Sequence, residues 1–168
     1  MTVFDDASRE DLLKLIQVYA KNWLAHDGCW FLAAEEKLGM DAAIGLDAEA
    51  WNRFAVVEAK RIMKEFNIPL GSGLKGLERA LGYRLYAAIN KQSIEWVDEH
   101  TMIYRMIECR VQKTRMEKNL PVFPCKSVGT VEFSRFAETV DSRIRTQCIS
   151  CPPDLIGDSF CAWQFSID

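Results

Sequence analysis

The sequence predicts an α+β fold: N-terminal helices packed with a C-terminal antiparallel sheet built from two hairpin-like strand pairs. Three observations predict it. Apolar residues recur at steps of three and four up to about residue 90. From Gln92 onward the period changes to two. No repeat, low-complexity segment or linker divides the chain, so residues 1–168 read as a single domain, with a helical part over about 8–90 and a mixed part over about 92–168.

Ser8 is placed to cap a first helix, with Asp11 adding negative charge to its first turn. Leu12, Ile16, Tyr19 and Trp23 then recur at helical spacing, and Gly28 is expected to break the run. A second short helix is expected from about Trp30 to Leu38, stopped by Gly39. The third begins in the forties, with Asp47 as a candidate N-cap, and runs to about Phe66 through Trp51, Phe54, Glu58 and Ile62. The loop Pro69-Leu-Gly-Ser-Gly73 ends it. Leu74, Leu77, Leu81, Leu85 and Ile89 place a fourth helix over Leu74–Asn90 despite Gly76 and Gly82.

Ser93–Asp98 and Thr101–Cys109 read as a hairpin turning at Asp98-Glu99-His100. A basic helical stretch, Val111–Lys118, follows. Phe133, Phe136, Ala137 and Val140 mark another helix. Arg143–Ser150 and Cys161–Ile167 read as two strands joined by the Pro152-Pro153 loop.

The net charge of -3 gives no global basic field, so nucleic acid is not an expected partner. The first 100 residues carry 12 basic and 16 acidic side chains and the last 68 carry 9 and 8, which argues against a basic arm or an acidic tail. The start, Met1-Thr-Val-Phe-Asp-Asp, lacks the pattern of a signal peptide. No apolar run approaches a membrane span of about 20 residues. A cytoplasmic protein without a membrane partner is expected. A small-molecule ligand is the expected partner, and a homodimer is compatible with the chain.

Five of the six cysteines lie in the last 60 residues, spaced Cys109-x15-Cys125-x22-Cys148-x2-Cys151-x9-Cys161. In a reducing compartment, clustered thiols more often bind metal or do redox chemistry than form structural disulfides. Zinc takes four ligands in a tetrahedron, and thiolates suit it. The positions at element ends allow convergence at one sheet edge. All five, Cys109, Cys125, Cys148, Cys151 and Cys161, are therefore candidate metal ligands. An iron–sulfur cluster is the alternative cofactor, since Cys151-Pro152 matches a Cys-Pro step of such proteins. A redox dithiol at Cys148 and Cys151 ranks lower, because no helix N-terminus is expected there to lower a thiol pKa. The plainest alternative treats the cysteines as small buried hydrophobes. Cys161 shares a strand face with Trp163, Phe165 and Ile167, which suits burial. Cys29, isolated between Gly28 and Trp30, is expected in the core.

Two polar residues on apolar stripes are candidate catalytic groups. Glu58 falls within the stripe Trp51, Phe54, Ile62 and Phe66. A buried carboxylate is costly unless paired, hydrogen-bonded or metal-bound. A salt bridge with Arg84 is favoured over a role as pocket base. His26, with Asp27, ends the expected first helix, as a cap or as a site residue with Glu35 or Glu36. His100 lies in the hairpin turn and is expected to be solvated. Arg110, Lys113, Arg115 and Lys118 are taken as a solvated face. Phosphate-loop, nucleophile-elbow and dinucleotide motifs are absent.

Several segments carry a resemblance: Asn22-Trp-Leu-Ala-His-Asp-Gly-Cys-Trp30-Phe, Glu58-Ala-Lys-Arg-Ile62, Cys109-Arg-Val-Gln, Phe123-Pro-Cys-Lys126-Ser-Val-Gly129, Cys148-Ile-Ser-Cys-Pro-Pro-Asp154 and Cys161-Ala-Trp163. The chain resembles a family of short prokaryotic cytosolic proteins of unknown function over nearly its whole length. More distantly it is similar to L-2-amino-thiazoline-4-carboxylate hydrolase-like proteins. Its ending, Cys161-Ala-Trp-Gln-Phe165, is similar to that of 4-vinyl reductase-type domains. These resemblances imply a pocket between helices and a curved antiparallel sheet, with cysteines that can hold a metal.

Three functions are therefore weighed. The favoured one is a metal-binding, small-molecule-binding protein, with zinc as the metal and Trp23, Trp30, Trp51 and Phe54 lining the pocket. The second is a metal-dependent hydrolase of a small cyclic or amide substrate. The third is an iron–sulfur or redox protein. Whether the protein is an enzyme is left open by the sequence, which supplies no nucleophile, base and oxyanion site together.

Overall fold

The structure, a computed structural model, describes residues 2, 4–154 and 156–168. Helices α1 (Arg9–Leu38), α2 (Met40–Glu65), α3 (Gly73–Gly82) and α4 (Leu85–Ile89) come first. Strands β1 (Lys91–Asp98) and β2 (Thr101–Glu108) form a hairpin, followed by α5 (Arg110–Glu117) and α6 (Lys126–Val140). Strands β3 (Arg145–Ser150) and β4 (Cys161–Ser166) close the fold. The result is α+β, as the periodicities predict.

Ser8 caps α1 as expected: its hydroxyl accepts from the Asp11 backbone N–H at 3.1 Å. The predicted break at Gly28 does not occur, and α1 runs on for 30 residues. Glycine inside a helix costs only about 1 kcal/mol relative to alanine, which packing along a long helix outweighs. The real break is Gly39, whose φ of 83° lies where a side chain would be strained. Leu12, Ile16 and Tyr19 remain exposed, while Trp23 packs against the core.

Helix α2 begins in the forties as expected, but at Met40, so Asp47 lies inside it rather than capping it. The predicted fourth helix is two helices, because the chain extends at Arg84 (φ -65°, ψ 151°). This turn leaves Arg84 buried between two carboxylates, as described below.

The sheet is antiparallel throughout, in the order β1-β2-β4-β3. Tyr104 of β2 pairs with Trp163 of β4, and Met102 pairs with Phe165. Side chains alternate across the pleat, so Met102, Tyr104, Met106, Trp163 and Phe165 share the buried face. Phe133 of α6 packs on Tyr104, Trp163 and Phe165 from this side. Helix α6 also packs against α2, joining the helical and mixed parts in one hydrophobic core. Burying an aromatic side chain of this kind stabilises by roughly 2–3 kcal/mol. Among the described residues, no helix is long and apolar enough to cross a membrane.

Candidate functional site: a thiol-floored cavity

A cavity of about 320 Å³ opens between the helices and the sheet. Its walls come from α1 (Leu24, Asp27, Phe31), α2 (Asp47, Trp51), α4 (Tyr86) and α6 (Gly129, Glu132, Phe133). Gln112 of α5 and Trp163 of β4 also face it. Cys109, Cys125, Cys151 and Cys161 all line it.

These cysteines come from four places in the fold. Cys109 follows β2, Cys125 precedes α6, Cys151 follows β3, and Cys161 opens β4. Pairing of β2 with β4 sets Cys161 opposite Met106, near the end of β2. Bending of the chain after β3 is marked by a bridge between Cys151 and Asp154. Cys125 Sγ and Cys151 Sγ approach to 3.6 Å. Gln112 Nε2 donates toward Cys125 Sγ at 3.6 Å while also donating to the Phe123 carbonyl at 2.7 Å.

The thiols are not equivalent. Donation from Cys151, opposed by burial and assisted by Gln112, lowers the pKa of Cys125. Cys151 is raised, because its proton is shared toward Cys125 and Cys161 and because it is buried. Burial, with the nearby Cys161 and Cys125 adding to it, pushes Cys109 up to about 12. Among the described residues, no three His, Cys, Asp or Glu side chains are drawn in to metal-ligand distance. The 3.6 Å separation of Cys125 and Cys151 is nevertheless close to what zinc requires. Two thiolates on a tetrahedral zinc, each about 2.3 Å from the ion, stand about 3.8 Å apart. Cys148 is half-buried on β3 and does not line the cavity. Cys29 is exposed at its rim rather than in the core.

The two candidate catalytic residues lie elsewhere. His26 is exposed and does not line the cavity. It shares α1 with Glu35 and Glu36, and Glu35 is engaged by Arg115 through two bonds of 2.8 and 2.9 Å. Arg115 is therefore buried, not part of a solvated face as expected. Glu58 Oε2 accepts from Arg84 Nε at 2.8 Å. The salt bridge favoured from the sequence is present. His100 is exposed in the hairpin turn beside Glu99.

Of the cavity's carboxyl groups, the sequence singles out Asp27, beside His26, and Asp47 as helix-end residues, but not Glu132. Glu132 meets Arg84 Nη2 at 2.7 Å, yet burial outweighs that attraction and raises its pKa. Asp47 is pushed up to about 7 by burial, then by the charges of Asp27 and Glu132. Burial likewise raises Asp27, with His26 opposing. A signal for Glu132 existed. It stands four residues before Phe136 and eight before Val140, on the same apolar stripe. Trp51 lines the cavity as expected, whereas Trp23 and Phe54 pack edge-on against Trp51 and do not line it. Trp30 does not, being 71% exposed.

A family model described as a family of unknown function (DUF6125) matches residues 5–167. The chain belongs to this family. No curated protein and no solved structure matches it. The cavity, its thiols and its carboxyl groups therefore carry the functional argument for this member.

Proposed function

We propose that this protein is a cytosolic small-molecule-binding protein with zinc held by cysteine thiolates at the floor of the cavity. The observation that carries the reading is the convergence of Cys109, Cys125, Cys151 and Cys161 on one cavity, with Cys125 and Cys151 already at 3.6 Å. Cys125 and Cys151 are the primary ligands. Cys109 and Cys161 are assigned as the remaining ligands because both line the same cavity, and metal binding would release the thiol protons. The similarity to 4-vinyl reductase-type domains supports the same reading.

Elemental analysis of the purified protein tests it. About one zinc per chain is expected, as a thiolate-rich tetrahedral site predicts. Cys125→Ser with Cys151→Ser should abolish it. A metal-free protein would overturn the metal reading, and iron with visible absorbance would replace it with the iron–sulfur alternative.

A second reading, a hydrolase of a small cyclic or amide substrate, is favoured by Asp47. A carboxyl with a pKa of about 7 beside a cavity suits a general base. The distant similarity to L-2-amino-thiazoline-4-carboxylate hydrolase-like proteins supports it. Cobalt substitution separates the two readings. Four thiolates without water leave a binding protein, because a catalytic zinc needs an open position.

A further inference from the structure

Helix α1 carries an apolar seam that the described residues of its own chain leave open. Leu12, Ile16, Tyr19, Trp23, His26 and Trp30 follow one another at steps of four, three, four, three and four. Such alternation is a seven-residue repeat, the pattern of a helix that pairs with another helix. Of the 30 residues of α1, Ala20 and Leu24 alone are buried. Leu12, Ile16, Tyr19, His26 and Trp30 are exposed, and Trp23 is half-buried against Trp51 and Phe54. No residue from Arg9 to Tyr19 is buried. A helical segment of that length is marginal in water by itself, because helices in proteins draw most of their stability from packing an apolar face.

The area of the whole chain points the same way. It exposes 10172 Å². A compact monomer of its mass exposes about 8,400 Å². A standard interface removes about 800 Å² from each partner, so the surplus of about 1,700 Å² is large enough for one. The cavity takes other positions of α1, among them Lys21, Ala25, Gly28 and Leu32, and none of the six seam residues lines it.

The seam is complementary to itself. Turned end for end about a point near Lys21, it sets Leu12 against Trp30, Ile16 against His26 and Tyr19 against Trp23 of a second copy. One stripe then serves both partners, as a closed twofold interface requires. Charge selects the antiparallel direction. Asp5, Asp6, Glu10 and Asp11 crowd the start of the helix. A parallel pair would set these acidic ends side by side, whereas the antiparallel pair holds them about 30 Å apart and opposes the two helix dipoles. We propose that α1 pairs with α1 of a second copy of this chain, antiparallel about a twofold axis near Lys21.

Sedimentation equilibrium of the full-length protein tests it and should give twice the chain mass of 19.2 kDa. Tyr19→Glu places a carboxylate against Trp23 of the second copy, on both sides of the axis. It should raise the dimer dissociation constant about a hundredfold. Val18→Glu is the control. Val18 is 48% exposed, close to the 56% of Tyr19, but lies off the seam, so this change should leave the dimer intact. Near-ultraviolet circular dichroism, which reports the buried Trp51 and Trp163, should be unchanged in both variants. Leu12→Lys and Trp30→Glu should each weaken the dimer, and together they should restore it, because the antiparallel pair sets the introduced charges against each other. A wild type that sediments as a monomer at every concentration overturns the inference, as does equal loss from Val18→Glu and Tyr19→Glu. A double variant weaker than both singles overturns the antiparallel seam.

Discussion

The indole of Trp163 occupies the space that a side chain on Gly129 would need. A Cβ built on Gly129 would stand 2.6 Å from Trp163 Cζ2 and 3.1 Å from Cη2. Helix α6 reaches β4 this closely only because the residue is glycine. Both residues line the cavity, so the contact also sets the distance between its helical and sheet walls.

Gly129→Ala should therefore destabilise the protein despite alanine's better helix propensity. Alanine gains about 1 kcal/mol in a helix, but overpacking a core typically costs about 1–3 kcal/mol. The rigid ring of a wholly buried Trp163 has little room to yield, so the upper part of that range is expected. A net loss of about 1–2 kcal/mol in urea unfolding checks this. An alanine variant as stable as the wild type would mean that α6 shifts freely over the sheet.

Arg84 gives the second prediction. It is buried, pairs with Glu58 and Glu132, and lies over the Phe136 ring with its guanidinium carbon 4.7 Å from the centroid. Burial alone would lower its pKa, but the two carboxylates reverse that and raise it. Arg84→Ala removes the cation and leaves two carboxylates buried together. Breaking a buried pair in this way costs about 3–5 kcal/mol. Arg84→Ala with Glu58→Gln and Glu132→Gln should recover part of this loss, since the stranded charges are gone. Equal instability of the single and triple variants would assign the cost to lost packing instead.

The elements were legible in the sequence wherever a single physical rule governed them. Ser8, Gly39 and the hairpin at Asp98–Thr101 each follow from local chemistry. The α6 stripe and the alternation of β4 follow from their partners on one apolar face. Gly28 and Arg84 were not legible, because tertiary contacts override local preference there. The four cavity-lining cysteines were legible as a group by their spacing. Cys148 does not line the cavity, although it lies close enough to Cys151 to share a hydrogen bond with it. Asp27 and Asp47 were read as helix-end residues, and only their position inside long helices turns them toward a shared cavity.

The last prediction concerns pH. The pKa of Asp47 in the folded protein, about 7, lies above its ordinary value of 3.8. The folded state therefore holds a proton that the unfolded state has lost, across the window between those values. The stabilisation is fully present below the lower value and is lost as pH rises through the upper one. Asp27 and Glu132 are also raised, so their contributions have the same sign. Stability measured by urea unfolding should fall as pH rises from the ordinary value of 3.8 to about 7. Asp47→Asn keeps the shape but cannot ionise, so it should flatten this fall. At pH 8 the variant should be more stable than the wild type by about 1–3 kcal/mol, a range set below the full shift because Asp47 is partly solvated. The difference should shrink as pH falls and approach zero only below the ordinary value of 3.8.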